Sequence, residues 1–274
     1  MFGEVREANA KGEAVNALCQ MTGLNRAGYY RWRVPRQATP VEMEVRDQMQ
    51  KIALESPAYG YRRITLELQQ RGWEINHKRV LRMMQEDNLL CVRRRAFVVT
   101  TDSRHNLGVY PNLAREIQTT AINQLWVADL TYIRLRTEFV YLAVVLDAFS
   151  RRVIGWALGR TLQAELAMAA LRMALLERQP SPGLVHHSDR GVQYASEDYT
   201  QMLKQHKATI SMSRKGNPFM KTLKYEEVYR NEYRDFHDAC ASIGEFLERV
   251  YNQKRLHSAL GYVPPAEFEN GVRR

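Results

Sequence analysis

Asp129 and Asp189 are the two residues of this chain whose type and setting point most directly to chemistry. Asp129 lies in LWVADLTYI, an apolar run that reads as a β-strand, and Asp189 lies in LVHHSDRGVQYAS, where a short strand gives way to a polar loop. Two converging carboxylates offer the hard oxygen ligands that Mg²⁺ takes, with water and substrate phosphate filling the remaining positions. Cleaving or joining phosphodiesters asks a protein mainly for positioning and charge neutralisation. Two such ions about 3.5–4 Å apart can activate the attacking oxygen and stabilise the leaving one. Asp129 taken alone would more often be a strand-end capping acid than a ligand. Asp147, in VVLDAFS, falls at the end of the next strand, where a turn role is expected. His186 and His187 flank Asp189 without matching ligands and read as structural or substrate-positioning groups.

The elements needed to bring Asp129 and Asp189 together are legible from residue 123 onward. QLWVADLTYIRL, EFVYLAVVLDAFS and RRVIGWALG read as three strands joined by short polar turns, which suits antiparallel hairpins. TLQAELAMAALRMALLERQ follows as an amphipathic helix stopped near Pro180. Strand LVHHS, helix SEDYTQMLKQH, strand TISMS and a further helix complete the order. That order is the one of an α/β ribonuclease-H-like core with a mixed five-stranded sheet and flanking helices. It puts Asp129 on the central first strand and Asp189 at the end of its neighbour, the fourth.

The part before the core reads as all-α. In EAVNALCQMTGLNRAGYYRWR, Val15, Leu18 and Met21 give an apolar face, Gly23 breaks the helix and Asn25 caps a second helix carrying Arg26, Tyr29, Tyr30 and Arg33. In YGYRRITLELQQRGWEINHKRVLRMMQEDNLL, Ile64 and Leu68 form a stripe and Gly72 ends the helix. Asn76 then caps a helix with Val80, Leu81 and Met84 inward and His77, Lys78, Arg79 and Arg82 near its start. Both segments have helix-turn-helix spacing, in which the start of the second helix meets the major groove. Arg93, Arg94 and Arg95 follow as a basic run that could touch a DNA backbone or be solvated. The resulting expectation is a helical unit over 1–40, a helix-turn-helix-like DNA-binding domain over 41–100, a linker over 101–120 and the core over 121–270.

Composition agrees with this plan. The chain has 274 residues, enough for about two domains, and 45% hydrophobic residues, enough for a packed core. A net charge of +10 points to a polyanion partner, because Lys and Arg contacts to phosphate dominate non-specific nucleic-acid affinity. Cys19, Cys91 and Cys240 are scattered and form no CxxC pair, which argues against a disulfide framework or a cysteine-rich zinc site. With no membrane span and no signal-peptide core, a reducing cytoplasm is the expected setting.

LWVADLTYI, YLAVVLDAFSRRVIGW, HHSDRGVQYAS, SMSRKGNP, TLKYEEVY and YNQKRLHSALGYVPPAEF together resemble the successive motifs of OrfB-type transposases of the bacterial insertion-sequence-three family, relatives of retroviral integrases. The preceding YGYRRITLELQQRGWEINHKRVLRMMQEDNL is similar to that family's helix-turn-helix region, so the resemblance covers nearly the whole chain. It implies Mg²⁺- or Mn²⁺-dependent transfer of a DNA 3′ end to a target phosphate. It also implies double-stranded DNA as partner, a homo-multimer on that DNA, an upstream OrfA-type partner and a nucleoid-associated bacterial setting. The family holds its metals on Asp, Asp and Glu, with about thirty-five residues between the second and third. By motif the first two are Asp129 and Asp189. The third has no counterpart. Some eight residues that the family carries between GNP and FxKTLK, the glutamate among them, are missing, and Pro218 runs directly into Phe219. Glu226 stands near the family's count and is the one substitute to weigh. A regular helix over FMKTLKYEEVYRNEY would place it about half a turn round from the lost glutamate and ~13 Å away.

Overall fold

The structure is a computed structural model and describes residues 1–33, 39–89, 108–213 and 219–272, the side chains of 31–33 excepted. Arg93, Arg94 and Arg95 lie outside the described residues, as do Asn217 and Pro218. The chain forms two compact units, Met1–Lys51 and Ile52–Arg274.

The first unit holds helices α1 (Phe2–Ala10), α2 (Val15–Thr22), α3 (Arg26–Arg33) and most of α4 (Pro40–Glu55). Gly23 ends α2 in the left-handed conformation at φ 67°, where a side chain would be strained. The Asn25 side chain then accepts from the amides of Ala27 and Gly28 at 2.8 and 3.3 Å, so the expected cap is present. A small core gathers Val5, Val15, Leu18, Cys19 and Tyr29. Met21, expected on the inner face, is 83% exposed, and Cys19 is buried in its stead. Cys19, four residues after Val15, lies about 40° round the helix from it, whereas Met21, six residues after, lies about 120° away and faces out.

In the second unit, α5 (Tyr61–Gln70) and α6 (His77–Glu86) form the helical hairpin that the sequence predicts. Asn76 caps α6 by accepting from the Arg79 amide at 2.9 Å. Ile64, Leu68, Val80 and Met84 are buried as expected, but Met83 joins them while Leu81 is only half-buried.

The sheet is built from β1 (Leu125–Arg134), β2 (Phe139–Asp147), β3 (Val153–Gly159), β4 (Val185–Asp189) and β5 (Thr209–Ser213), in the order β3-β2-β1-β4-β5. β1–β2 and β2–β3 are antiparallel, and β1–β4 and β4–β5 are parallel. This is the ribonuclease-H-like arrangement read from the sequence, with β1 central. Helices cover both faces, which is why β2 is buried almost end to end instead of alternating. One face packs Trp126, Ala128, Ala143 and Ile154 against α7 (Ala164–Arg178), α8 (Val192–Ala195) and α9 (Glu197–Gln205). Gly155 permits that packing, because a Cβ there would lie 2.2 Å from the Ala170 carbonyl oxygen on α7. The other face packs Ile133, Val140, Leu142 and Leu146 against α10 (Phe219–Leu223), α11 (Phe236–Glu245) and the π-helical turn Phe246–Tyr251. α12 (Pro265–Val272) is pinned by the buried Glu269, which accepts from Arg178 at 2.7 Å and Arg152 at 2.9 Å.

Two stretches differ from the sequence reading. The tract around residues 111–114, read as linker, is tied to β5: Leu113 N–H donates to the Ser211 hydroxyl at 2.9 Å and the Pro111 carbonyl accepts from Met212. The helix expected across FMKTLKYEEVYRNEY is short. After α10 it widens into a π-helical turn, Lys224–Val228, and then stops. A π turn advances less per residue than the ~100° and ~1.5 Å of a regular α-helix. The positions of Glu226 and Glu227 therefore do not follow from counting.

Candidate active site

β1 and β4 run parallel with Leu125 opposite Val185, Trp126 opposite His186 and Val127 opposite His187. Asp129 and Asp189 keep that same offset two residues further along, and side chains two apart share a face. The two carboxylates thus stand on neighbouring strands, on the face that α10 covers, just past the last paired residues Val127 and His187. Both are buried, at 8% and 7% exposure. The structure brings together the pair that the sequence singled out.

Each carboxylate is oriented locally. Asp189 Oδ1 accepts from the Gly191 amide at 2.9 Å, in the tight turn that leads into α8. A Cβ at Gly191 would stand 3.0 Å from that same oxygen and 3.1 Å from Gln193 Oε1, so the turn needs a glycine to hold the acid this way. Asp129 Oδ1 accepts from the Leu130 amide at 3.0 Å. Tyr194, fully buried on α8, reports on both acids: burial, then Tyr199, then Asp129 and Asp189 push its phenol well above the usual range.

Lys224, directly after α10, also lies near Asp129. Burial lowers its ammonium from the usual lysine value while the nearby Asp129 opposes that shift. The Nζ lies 4.6 Å from the centre of the Tyr132 ring. Sequence reading missed both Tyr194 and Lys224. Tyr194 sits in the same motif as Asp189 and could have been noticed there, whereas Lys224 meets Asp129 across 95 residues of sequence.

The flanking residues sort as structural. His187 bonds the hydroxyls of Ser211 (2.8 Å) and Ser213 (3.2 Å) on β5. His186 is fully buried against Tyr199, with 3.1 Å between Nε2 and the hydroxyl. Asp147 accepts from the amides of Asn123, Phe149 and Ser150 and so ties the β2–β3 turn, as expected for it.

Among the described residues no third acid joins the pair. Among the described residues no cluster of three or more His, Cys, Asp and Glu side chains is arranged to hold a metal. Between Asp198 and Glu226 the sequence has no Asp or Glu at all. Glu226 is engaged elsewhere: Arg255 donates to both its oxygens at 2.6 Å each, and Arg63 lies 3.8 Å away. Glu227 accepts from Ser242 at 2.7 Å and Tyr233 at 3.1 Å. On the helical hairpin, His77 and Lys78 are exposed and Arg79 and Arg82 are half-buried, with Arg82 3.4 Å from Glu86.

Comparison with known proteins places these features. Residues 119–218 and 214–265 match integrase core domain families, and residues 40–97 match an HTH-like domain family. An uncharacterized 31 kDa protein of insertion element IS600 from Shigella sonnei is 38% identical over 92% of this chain and 97% of its own length. The transposase InsF for insertion sequence IS3A from Escherichia coli (strain K12) is 32% identical over 94% of each chain. The catalytic core domain of HTLV-2 integrase, solved with magnesium, aligns with 54% of this chain and 96% of that chain at 17% identity and a TM-score of 0.44. With an HTH-like region ahead of an integrase core and relatives of this similarity along nearly its whole length, the chain belongs to the IS3-type family of insertion-sequence transposases.

Proposed function

We propose that this chain is a transposase subunit that holds the DNA ends of its element but has lost strand transfer with its third acid. The observation that carries this reading is that Asp129 and Asp189 lie on adjacent parallel strands, two residues past the last paired residues, while Glu226, the acid nearest the family's count, is bound by Arg255. The ancestral reaction is hydrolysis at a DNA end followed by attack of the freed 3′ hydroxyl on a target phosphate, with no covalent protein–DNA intermediate. The donor set fits a divalent cation, since two buried carboxylates are hard oxygen ligands on one face. Asp129 and Asp189 would hold Mg²⁺ or Mn²⁺, which when bound neutralises phosphate charge and activates an attacking oxygen. Lys224 adds a positive charge beside Asp129, and the Gly191 amide holds Asp189 in place.

Double-stranded DNA is the partner proposed for the HTH-like region. His77, Lys78, Arg79 and Arg82 at the start of α6 meet the duplex, and Arg93, Arg94 and Arg95 extend the basic tract in sequence. The protein works as a multimer on its ends, together with an upstream OrfA-type partner. A chain of this kind occupies ends without cutting them, which makes it a DNA-binding pseudoenzyme able to inhibit an intact transposase.

The deciding experiment is strand transfer of an element end with purified protein and Mg²⁺. The same assay is run on a version in which a family-like eight-residue segment bearing Glu is restored after Pro218. Products from the restored version alone support the proposal. Products from the chain as it stands refute it.

A further inference from the structure

Immediately beyond Asp129, the end of β1 borders a cleft of about 400 Å³. Asp189 forms part of its lining, and so do the aromatic side chains of Tyr132, Phe139 and Tyr141. Tyr132 and Tyr141 are directly opposite each other on β1 and β2, and Phe139 meets the Tyr132 ring edge-on with 5.8 Å between centres. The outer wall is apolar and open to solvent: Phe139 is 51% exposed, Val192 46% and Leu162 38%. Gln193 closes one side by donating to the Leu162 carbonyl at 3.1 Å.

These features belong to a ligand with two unlike parts. The cleft volume is in the range of small-ligand pockets, about 300–1,000 Å³. Its walls offer flat apolar surface, while its inner end carries Asp189, and the Lys224 ammonium lies over the Tyr132 ring near Asp129. A planar apolar group joined to a phosphate would satisfy both ends, with a divalent cation held by Asp129 and Asp189 between the carboxylates and the phosphate. A nucleotide has that composition, and every base presents a face that stacks on aromatic rings. A base paired inside a duplex has both faces covered by its neighbours and cannot enter, so the nucleotide must be unpaired.

We propose that this cleft binds a single unpaired nucleobase of the DNA strand whose phosphate lies at Asp129 and Asp189. The inference rests on the reading of this chain as a binder of DNA ends and adds to it a substrate form, an end whose terminal nucleotide is out of the duplex. Phe139, as the most exposed ring of the cleft, contributes stacking surface and little to the core.

The test needs no turnover and is run with Mg²⁺ present, because a phosphate can sit beside two carboxylates only when a cation offsets their charge. Binding of the full chain to one element end is measured by fluorescence anisotropy, with the end either blunt or carrying a two-nucleotide 3′ overhang. The wild-type chain is expected to prefer the overhang roughly tenfold, the scale of one base stacked on an aromatic side chain. Phe139→Ala should reduce that preference to within about twofold while blunt-end affinity stays unchanged, and Phe139→Trp should keep it. Equal preference in all three proteins, or none in the wild type, would overturn the proposal and leave duplex-end binding intact. Failure to bind any end would overturn both readings. A Phe139→Ala chain that keeps the overhang preference but loses a multimer seen by light scattering would show the cleft to be a protein interface instead.

Discussion

Glu226 and Arg255 form a two-pronged ion pair, Nε to Oε2 and Nη2 to Oε1 at 2.6 Å each, and the pair spends Glu226 on structure. Both side chains are largely buried, Arg255 at 8% and Glu226 at 14% exposure, so neither charge can be left alone without penalty. Arg255 also faces His257 at 3.1 Å, and Arg63 of α5 approaches the same carboxylate. Replacing Glu226 by Gln should therefore destabilise the fold by about 3–5 kcal/mol, the usual result of removing one partner of a buried pair. At this chain length that is a fall in Tm of roughly 10 °C. Differential scanning calorimetry reads it directly. The same substitution in the version with the restored glutamate segment should leave strand transfer per folded molecule unchanged. A variant of normal stability that lost activity would show that Glu226 serves the metal site.

Two buried histidines make stability depend on pH. His186 is held down to about 3 by burial and then by neighbouring His187. His257 is held down to about 3 by burial and then by Arg255, Arg63 and Arg151. Each is neutral in the fold, whereas an unfolded histidine protonates near 6.5, so the unfolded state binds the extra proton. Stability is full above pH 6.5 and falls as pH drops from there toward 3, by about 1.4 kcal/mol per pH unit for each histidine. Urea midpoints at pH 7, 6 and 5 should show this decline, and His257→Asn should remove about half of it. A pH-independent midpoint across that range contradicts the assignment.

The sheet was readable because its strands are apolar runs broken by short polar turns, and because Asp129 and Asp189 sit at the strand positions where parallel pairing aligns them. Caps were readable at Asn25 and Asn76 because a side-chain oxygen before a helix has one dominant use. Met21 and Leu81 were misplaced because a spacing of three and a spacing of four both fit an apolar stripe, and tertiary packing chose Cys19 and Met83. Lys224 was invisible for a different reason. It follows directly on α10, and its approach to Asp129 comes from the packing of that helix on the sheet, 95 residues away in sequence. The partner of Glu226 lies 29 residues away in sequence, so no local pattern could have supplied it.

DNA binding should depend on the α6 start in a way salt can report. The HTH-like hairpin is attached to the core: the Tyr59 hydroxyl accepts from the Leu256 amide at 3.0 Å, and Arg230 donates to the Pro57 carbonyl at 3.0 Å. Full-length protein is accordingly the right material. Affinity for duplex ends should fall steeply with salt, because binding releases counterions from the phosphates. Arg79→Ala should reduce the slope of log K against log salt by about one, the signature of one lost phosphate contact. Arg172→Ala, on α7 of the core, should leave the slope alone. Equal slopes for Arg79→Ala and wild type would remove α6 from the interface.

Metal binding provides the most direct check on the site itself. Two carboxylates with water can satisfy one hard cation, while a second needs a fixed ligand that the described residues do not supply. Titration with Mn²⁺, followed by the loss of its free-ion paramagnetic resonance signal, should show one weak site and no second site of similar affinity. Asp129→Asn and Asp189→Asn should each abolish it. Gly191→Ala is the subtler variant. Its Cβ would press on Asp189 Oδ1 at 3.0 Å, within the turn whose amide now orients that oxygen, without touching the charge of either acid. Disturbing a group that orients a ligand typically weakens metal binding by about 10–100-fold, so Gly191→Ala should fall in that range with far-ultraviolet circular dichroism unchanged. Two equal tight sites in the wild type, or a Gly191→Ala chain that binds as well as wild type, would mean that Asp129 and Asp189 do not hold the metal as a pair.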